Sequence, residues 1–245
     1  EQGVQLNNDS KYSSNIKWCL FNNNKLDIPR DCDTFIPLYI KSDKEIKYVE
    51  FKVGGQIINI LPVEFCNKLQ NFNTKQGEYY VYKLNWELFC KEEFYLIKVQ
   101  YNTVEFRIIS EHNCNSKLYY RSTLYDPQTR YELRSINNTS LVKCFDGMQN
   151  VKINEGSTNL RIDHFSAKTN GFFIDKIDYN EVNSIKIQID GVELVEYDNF
   201  MLKNMVKKFG SDIIYLDLGN TDYSEFNFNG SLNLSRIDDI NIQID

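Results

Sequence analysis

Histidine is nearly absent from this chain: His112 and His164 are the two in 245 residues. That scarcity removes most of the acid–base and metal chemistry available near neutral pH. Proline is also rare, with 4 residues, and no glycine-rich loop of the phosphate-cradling kind occurs. No apolar run is long enough to cross a bilayer as a helix, and the opening "EQGVQLNNDS" is too polar to read as a signal peptide. Base is in deficit, with 28 Lys and Arg against 34 Asp and Glu, a net charge of −6. Binding nucleic acid without sequence preference needs the opposite balance, because affinity comes from displaced counterions. Direct contact with nucleic acid is therefore not expected.

The 6 cysteines, at 19, 32, 66, 90, 114 and 144, form no CxxC pair. A chain of this length does not need a disulfide framework, so scattered thiols are the simpler reading. What the sequence has instead is 16 Tyr, 16 Phe and abundant Ile, residues that suit pleated, half-buried surfaces.

Strict alternation recurs along the chain. In "IKYVEFKV", Val49, Phe51 and Val53 point one way and Glu50 and Lys52 the other; in "IKIQI", Ile185, Ile187 and Ile189 oppose Lys186 and Gln188. This is the period of antiparallel strands with one wet face. Similar runs lie at 34–40, 78–86, 117–125, 171–177 and 212–218, separated by turn dipeptides such as "GG" at 54–55 and "DG" at 190–191. Two segments have helical spacing instead. One places Pro62 in its first helical turn, with Phe65, Leu69 and Phe72 on one face; the other follows Asp198 as N-cap, with Leu202, Val206 and Phe209 on one face.

These features repeat. Val49, Phe51, Val53 and Gly55 lie 136 positions before Ile185, Ile187, Ile189 and Gly191. The same shift carries Phe65 and Leu69 onto Met201 and Met205. It also carries Leu96, Tyr101, Val104, Phe106 and Ile108 onto Leu232, Ile237, Ile240, Ile242 and Ile244. Strand, helix and strand sharing one offset imply an internal duplication. Each copy has the size of an eight-stranded jelly roll; the immunoglobulin-like sandwich fits less well, since its Cys…Trp…Cys pattern is missing.

The ordered motifs resemble the double jelly-roll major capsid proteins of nucleocytoplasmic large DNA viruses. "KEIKYVEFKVGGQIIN" is similar to that family's strand and GGQ turn, carried here by Gly54, Gly55 and Gln56, with Gly191 in the second copy. "EYYVYKLNWELF", "FYLIKVQYNTVEFRI", "KLYYRSTLYDPQTRYEL" and "NLRIDHFSAKTNGFFI" follow in the family's order. "GSLNLSRIDDINIQI" resembles its C-terminal strand through Asn233, Ser235, Arg236, Ile237 and Asp238. The chain departs from the pattern in having Asn59 after the GGQ turn and Phe165 after His164, and in lacking long loops.

The resemblance implies an all-β fold of two tandem antiparallel eight-stranded jelly rolls, 1–112 and 113–245, with short helices between strands. It implies a viral structural protein whose pseudo-hexameric homotrimers tile an icosahedral shell, or a related scaffold or minor capsid protein shaping a viral membrane. Expected partners are copies of itself and neighbouring capsomers, with minor capsid proteins or an internal viral membrane beyond them. The expected location is the virion capsid, assembled in virus factories of the host cytoplasm. A carbohydrate-binding sandwich is the reading from another class.

No catalytic, cofactor or metal residues are expected. Asp163 and His164 would make an acid–base pair, but no nucleophile elbow accompanies them. Asp212, Asp217, Asp222 and Glu225 lack the spacing of a calcium loop. The sequons at Asn8, Asn137, Asn138, Asn229 and Asn233 are expected by chance in a chain this rich in Asn, and Asn233 falls in an expected buried strand. In "SRID", Leu234 and Ile237 are expected to pack while Arg236 and Asp238 face solvent. Repeat one has Gln100 and Asn102 there, so an Arg236 charge pair would serve a contact specific to the second barrel.

Overall fold

A computed structural model describes residues 12–84, 93–135, 156–162, 168–210, 212–218, 220–222, 227–229, 232–234 and 236–245. Asp163, His164, Ser235 and Glu225 lie outside the described residues, as do Asn8, Asn137, Asn138, Cys90 and Cys144.

The chain divides into two compact units. The first runs through β1 (Tyr12–Leu20), β2 (Lys25–Asp27), β3 (Thr34–Ser42), β4 (Tyr48–Val53), β5 (Gln56–Pro62), α1 (Val63–Leu69), β6 (Lys75–Gln76), β7 (Tyr79–Lys83), β8 (Phe94–Tyr95), β9 (Val104–Ile109), β10 (Ser116–Tyr125) and α2 (Pro127–Ser135). One sheet has the order β1-β10-β3-β7-β6, with β8 beside β3; the other has the order β2-β9-β4-β5. All pairings are antiparallel, and the interleaving of early and late strands in both sheets is jelly-roll topology. Between the sheets lies an aromatic core. Phe35, Phe51 and Phe106 are fully buried, with Phe51 and Phe106 rings 5.0 Å apart and Phe94 5.3 Å from both Phe35 and Phe51.

The second unit runs through β11 (Thr158–Arg161), β12 (Lys168–Thr169), β13 (Gly171–Asp175), β14 (Ser184–Ile189), β15 (Val192–Asp198), α3 (Asn199–Asn204), β16 (Lys207–Phe209), β17 (Ile213–Asp217), β18 (Asn220–Asp222), β19 (Asn227–Asn229), β20 (Leu232–Asn233) and β21 (Ile240–Ile244). Its four-stranded sheet, β11-β21-β14-β15, repeats the plan of β2-β9-β4-β5. Among the described residues a second sheet is three-stranded, β13-β17-β16, and two short pairs, β12-β20 and β18-β19, accompany it. Ile185, Ile187, Ile214, Leu216, Ile240 and Ile242 form its core, aliphatic where the first is aromatic.

The 136-residue offset is a structural identity. Val49 pairs with Ile108 and Phe51 with Phe106; 136 positions on, Ile185 pairs with Ile244 and Ile187 with Ile242. Even an irregularity repeats: the β4–β5 register shifts between Phe51 and Lys52, and the β14–β15 register between Ile187 and Gln188. A bulge kept at one place in both copies is a designed feature of the strand, since it re-aims every side chain beyond it.

Three expectations are corrected. The boundary does not lie at 112–113: β10 is the second strand of the first sheet, bonded to β1 on one side and β3 on the other. The "KLYYRSTLY" run therefore closes the first barrel and does not open the second. α2 stays with it, because Asp33, buried, accepts from the Tyr125 N–H at 2.8 Å and pairs with the Arg130 guanidinium at 3.0 Å. The dipeptide Asp126-Pro127 starts that helix, with Pro127 in its first turn and the Asp126 carboxylate accepting from the N–H groups of Gln128 and Thr129. The face of α1 differs in part: Pro62 ends β5, Leu69 is buried as expected, and Val63, Cys66 and Asn67 are buried beside it, while Phe65 and Phe72 are partly exposed. α3 begins as expected, Asp198 accepting from the Met201 N–H at 2.8 Å, but ends at Asn204, so Val206 lies beyond it and Phe209 packs from β16.

Cys19, Cys32, Cys66 and Cys114 are in the thiol form, not joined in disulfides. Burial pushes the Cys32 thiol up to about 11 and that of Cys66 up to about 12, so neither supplies a thiolate near neutral pH. No helix among the described residues is long and apolar enough to cross a membrane.

Candidate functional site

Of the residues singled out by sequence, Gly54, Gly55 and Gly191 lie in one turn in each copy, and the backbone N–H of Asp238 meets the second turn. Gly54 and Gly55 have φ of 58° and 82°, and Asp190 and Gly191 have 49° and 79°. Two successive positive φ values make the tight hairpin turn whose twist matches its strands. Glycine is needed at Gly54 for a second reason: a Cβ there would sit 2.8 Å from Oδ1 of Asn102.

In the second copy the two residues exchange roles. Asp190 stands where Gly54 does, and its Oδ1 accepts from the backbone N–H groups of Asp238 at 3.0 Å and Asp239 at 2.9 Å. The backbone bond beneath is shared, from Gly54 N–H to Thr103 O at 2.8 Å and from Asp190 N–H to Asp239 O at 2.9 Å. One copy fills the corner with a side chain from the later loop, the other with a side chain from the turn. Asp190→Ala is expected to lower the unfolding free energy by about 1 kcal/mol, the scale of exposed charge-assisted bonds to backbone. Asp190→Asn keeps the acceptor and should stay within about 0.5 kcal/mol of wild type. Urea unfolding of both variants checks this.

Arg236, Ile237 and Asp238 of "SRID" lie outside any strand. Ile237 N–H donates to Leu234 O at 3.1 Å, so the segment turns before β21 begins. Leu234 is buried and Ile237 packs on the core, while Arg236 and Asp238 are exposed, as their pattern implied. Arg236 makes no ion pair within the described chain; the nearby pair joins Arg161 to Asp239 at 3.0 Å. Asn233 is exposed in the two-residue β20, which corrects its expected burial: its neighbours Leu232 and Leu234 take the inward positions. Gln56 is exposed at the start of β5.

One open depression, about 370 Å³, is lined by Glu45, Glu64, Thr74, Lys75, Tyr80 and Tyr82, with no histidine or cysteine in its wall. Among the described residues no group of three or more His, Cys, Asp or Glu side chains could hold a metal.

What the surface offers instead is exposed apolar side chains on sheet edges. β5 shows Ile57 and Ile60, β15 shows Val192 and Leu194, and β1 shows Tyr12, Ile16, Trp18 and Leu20. Sequence reading passed over β1. Its alternation was available in "NIKWCL", but both faces hold polar residues and the apolar one faces solvent, so it lacks the contrast of a core strand. Lys117 of the adjacent strand stacks over the Trp18 ring at 4.4 Å.

No family model matches the sequence, and no curated protein matches it significantly. Solved structures do match. One is a chain of the quasi-atomic model of the PBCV-1 virus capsid, with TM-score 0.66 and 12% identity, covering 95% of this chain and 84% of that one. Another is the crystal structure of PBCV-1 VP54 fitted into a reconstruction of the virophage Sputnik, with TM-score 0.68, 13% identity and the same coverages. The fold is the double jelly roll of those capsid structures.

Proposed function

We propose that this chain is a viral capsid subunit that assembles as a homotrimer of near-hexagonal outline and tiles an icosahedral shell. The observation that carries the proposal is the 136-residue repeat, which preserves strand register and bulge position across both barrels. Two like barrels per chain give a threefold ring six similar sides, and closed cyclic symmetry then allows hexagonal tiling. The similarity in fold to PBCV-1 capsid structures supports the same reading. On it the work of the protein is assembly in the host cell into a virion, driven by many modest contacts summed over a shell. The partners are further copies of the chain and neighbouring capsomers.

Arg236 is part of this reading. Exposed on a turn that the first copy fills with Gln100, its guanidinium is free to pair across to a neighbouring subunit. Light scattering with negative-stain imaging tests the proposal. The expected result is a particle of three times the 28.9 kDa chain mass with a hexagonal outline. Arg236→Ala should weaken the trimer while leaving thermal stability unchanged. A monomer that binds glycans would overturn the capsid reading.

A further inference from the structure

Edge strands expose unpaired backbone donors and acceptors, and soluble proteins defend them with short length, charge, proline or bulges. Most edges here are defended. β6 has two residues and β2 three; β5 carries a bulge and ends in Pro62; β15 carries the same bulge and exposes Glu193 and Glu196. β1 is the longest sheet edge among the described residues and lacks these defences. It is nine residues long, has no proline or glycine, pairs with β10 in unbroken register, and has no partner on its far side among the described residues. Its one charge, Lys17, is held by the Asp31 carboxylate at 2.6 Å. Along the outward face Tyr12, Ile16, Trp18 and Leu20 are 63%, 69%, 54% and 58% exposed.

The sequence of β1 is complementary to itself. Run antiparallel about a two-fold axis at Ile16, the strand sets Tyr12 opposite Leu20, Ser14 opposite Trp18 and Ile16 opposite Ile16 on the outer face. On the other face it sets Ser13 opposite Cys19 and Asn15 opposite Lys17. Every residue is paired, and no like charges face each other. Moving the axis to Lys17 would oppose Lys17 to Lys17, and moving it to Asn15 would leave Cys19 and Leu20 without partners inside the strand. The faces also agree, because a shift of one residue would set an outer face against an inner one.

We infer that β1 pairs with β1 of a second copy in this register, joining two six-stranded sheets into one across a two-fold axis. An isologous contact of this kind is distinct from the threefold contacts of a trimer and can link one trimer to the next. Pairing edge to edge leaves the outer face open and covers only the flanks of these four side chains per copy, less than the roughly 1,600 Å² of a standard interface. The contact is therefore weak alone and effective when repeated over a lattice. It does not rest on the capsid reading: a trimer can form without it, and two-fold pairing can occur without a trimer.

Cysteine placement tests the register. Facing residues on antiparallel strands lie within disulfide reach, so Ile16→Cys should give covalent dimer on mild oxidation, well above the wild-type background of native thiols. Tyr12→Cys and Leu20→Cys should each give none above that background, while the double variant Tyr12→Cys/Leu20→Cys should match Ile16→Cys. All three positions are exposed, so these variants keep the fold. Equal crosslinking at every position, or none at Ile16 in concentrated or assembled protein, would overturn the pairing. So would binding of the wild type to phosphatidylserine vesicles with no Ile16 crosslink, which would assign the aromatic face and its lysines to a bilayer. Mass by light scattering, read separately on Ile16→Lys, distinguishes the proposals: loss of the two-fold link should leave the trimer intact.

Discussion

Phe106→Ala is expected to lower the unfolding free energy by about 3–5 kcal/mol, the cost of removing a buried aromatic ring and leaving a cavity. The ring is wholly buried on β9, where it pairs directly with Phe51 of β4 and contacts Phe35 of the opposite sheet at 6.2 Å. Deleting it removes contacts on both sides of the barrel, and rigid strands cannot close the gap. Its repeat counterpart is Ile242, in register with Ile187. Ile242→Ala removes fewer atoms from an aliphatic core and should cost about 2–4 kcal/mol, the lower part of the range for such truncations. Denaturant unfolding followed by far-UV circular dichroism measures both. A Phe106→Ala loss below about 1 kcal/mol would contradict an aromatic ring system at the centre of the first barrel.

Asn67→Ala is the second large effect, and it acts through polar groups. Asn67 is fully buried in α1. Its amide donates to Val81 O at 2.8 Å and to the Thr74 hydroxyl at 3.0 Å, and its carbonyl accepts from Lys83 N–H at 2.8 Å. One side chain thus ties the helix to β7 and bonds two backbone groups of that strand. Truncation strands those groups away from water, which costs about 1–3 kcal/mol for each buried group left unsatisfied. The expected total is about 2–4 kcal/mol, because relaxation and entering water recover part of it. The same position in the second copy is Lys203, exposed on α3, so Lys203→Ala should stay within about 0.5 kcal/mol of wild type. A comparable loss at both sites would mean that the helices serve their barrels alike, against the geometry of α1.

Both experiments use one asymmetry: the repeat keeps register and exchanges chemistry. Phe51 and Phe106 become Ile187 and Ile242, and Gly54 with Asn102 becomes Asp190 with Asp238, yet the hydrogen-bond ladder is the same. Backbone pairing depends on the period and on the bulge, while side chains need only fill equivalent space.

The strands of both copies, their shared offset and their turns were legible in the residues alone. Period-two alternation and positive-φ turn residues are local properties, and duplication doubles their weight. The inward positions of Leu234 and Ile237 and the outward ones of Arg236 and Asp238 followed from the same local pattern.

Which barrel owns β10 was not legible. Leu118 and Tyr120 would bury equally well against either core, and the pairing that places them between β1 and β3 is made with residues about 80 and 100 positions earlier. The edge at β1 was hidden for a related reason: a strand whose apolar face meets solvent looks weakly patterned until its neighbours are known. Sequence by itself determined the register within each hairpin, because alternation and turn chemistry act over a few residues. Only the tertiary structure decided which strands share a sheet and which edge stays open, because those depend on distant segments competing for the same backbone partners.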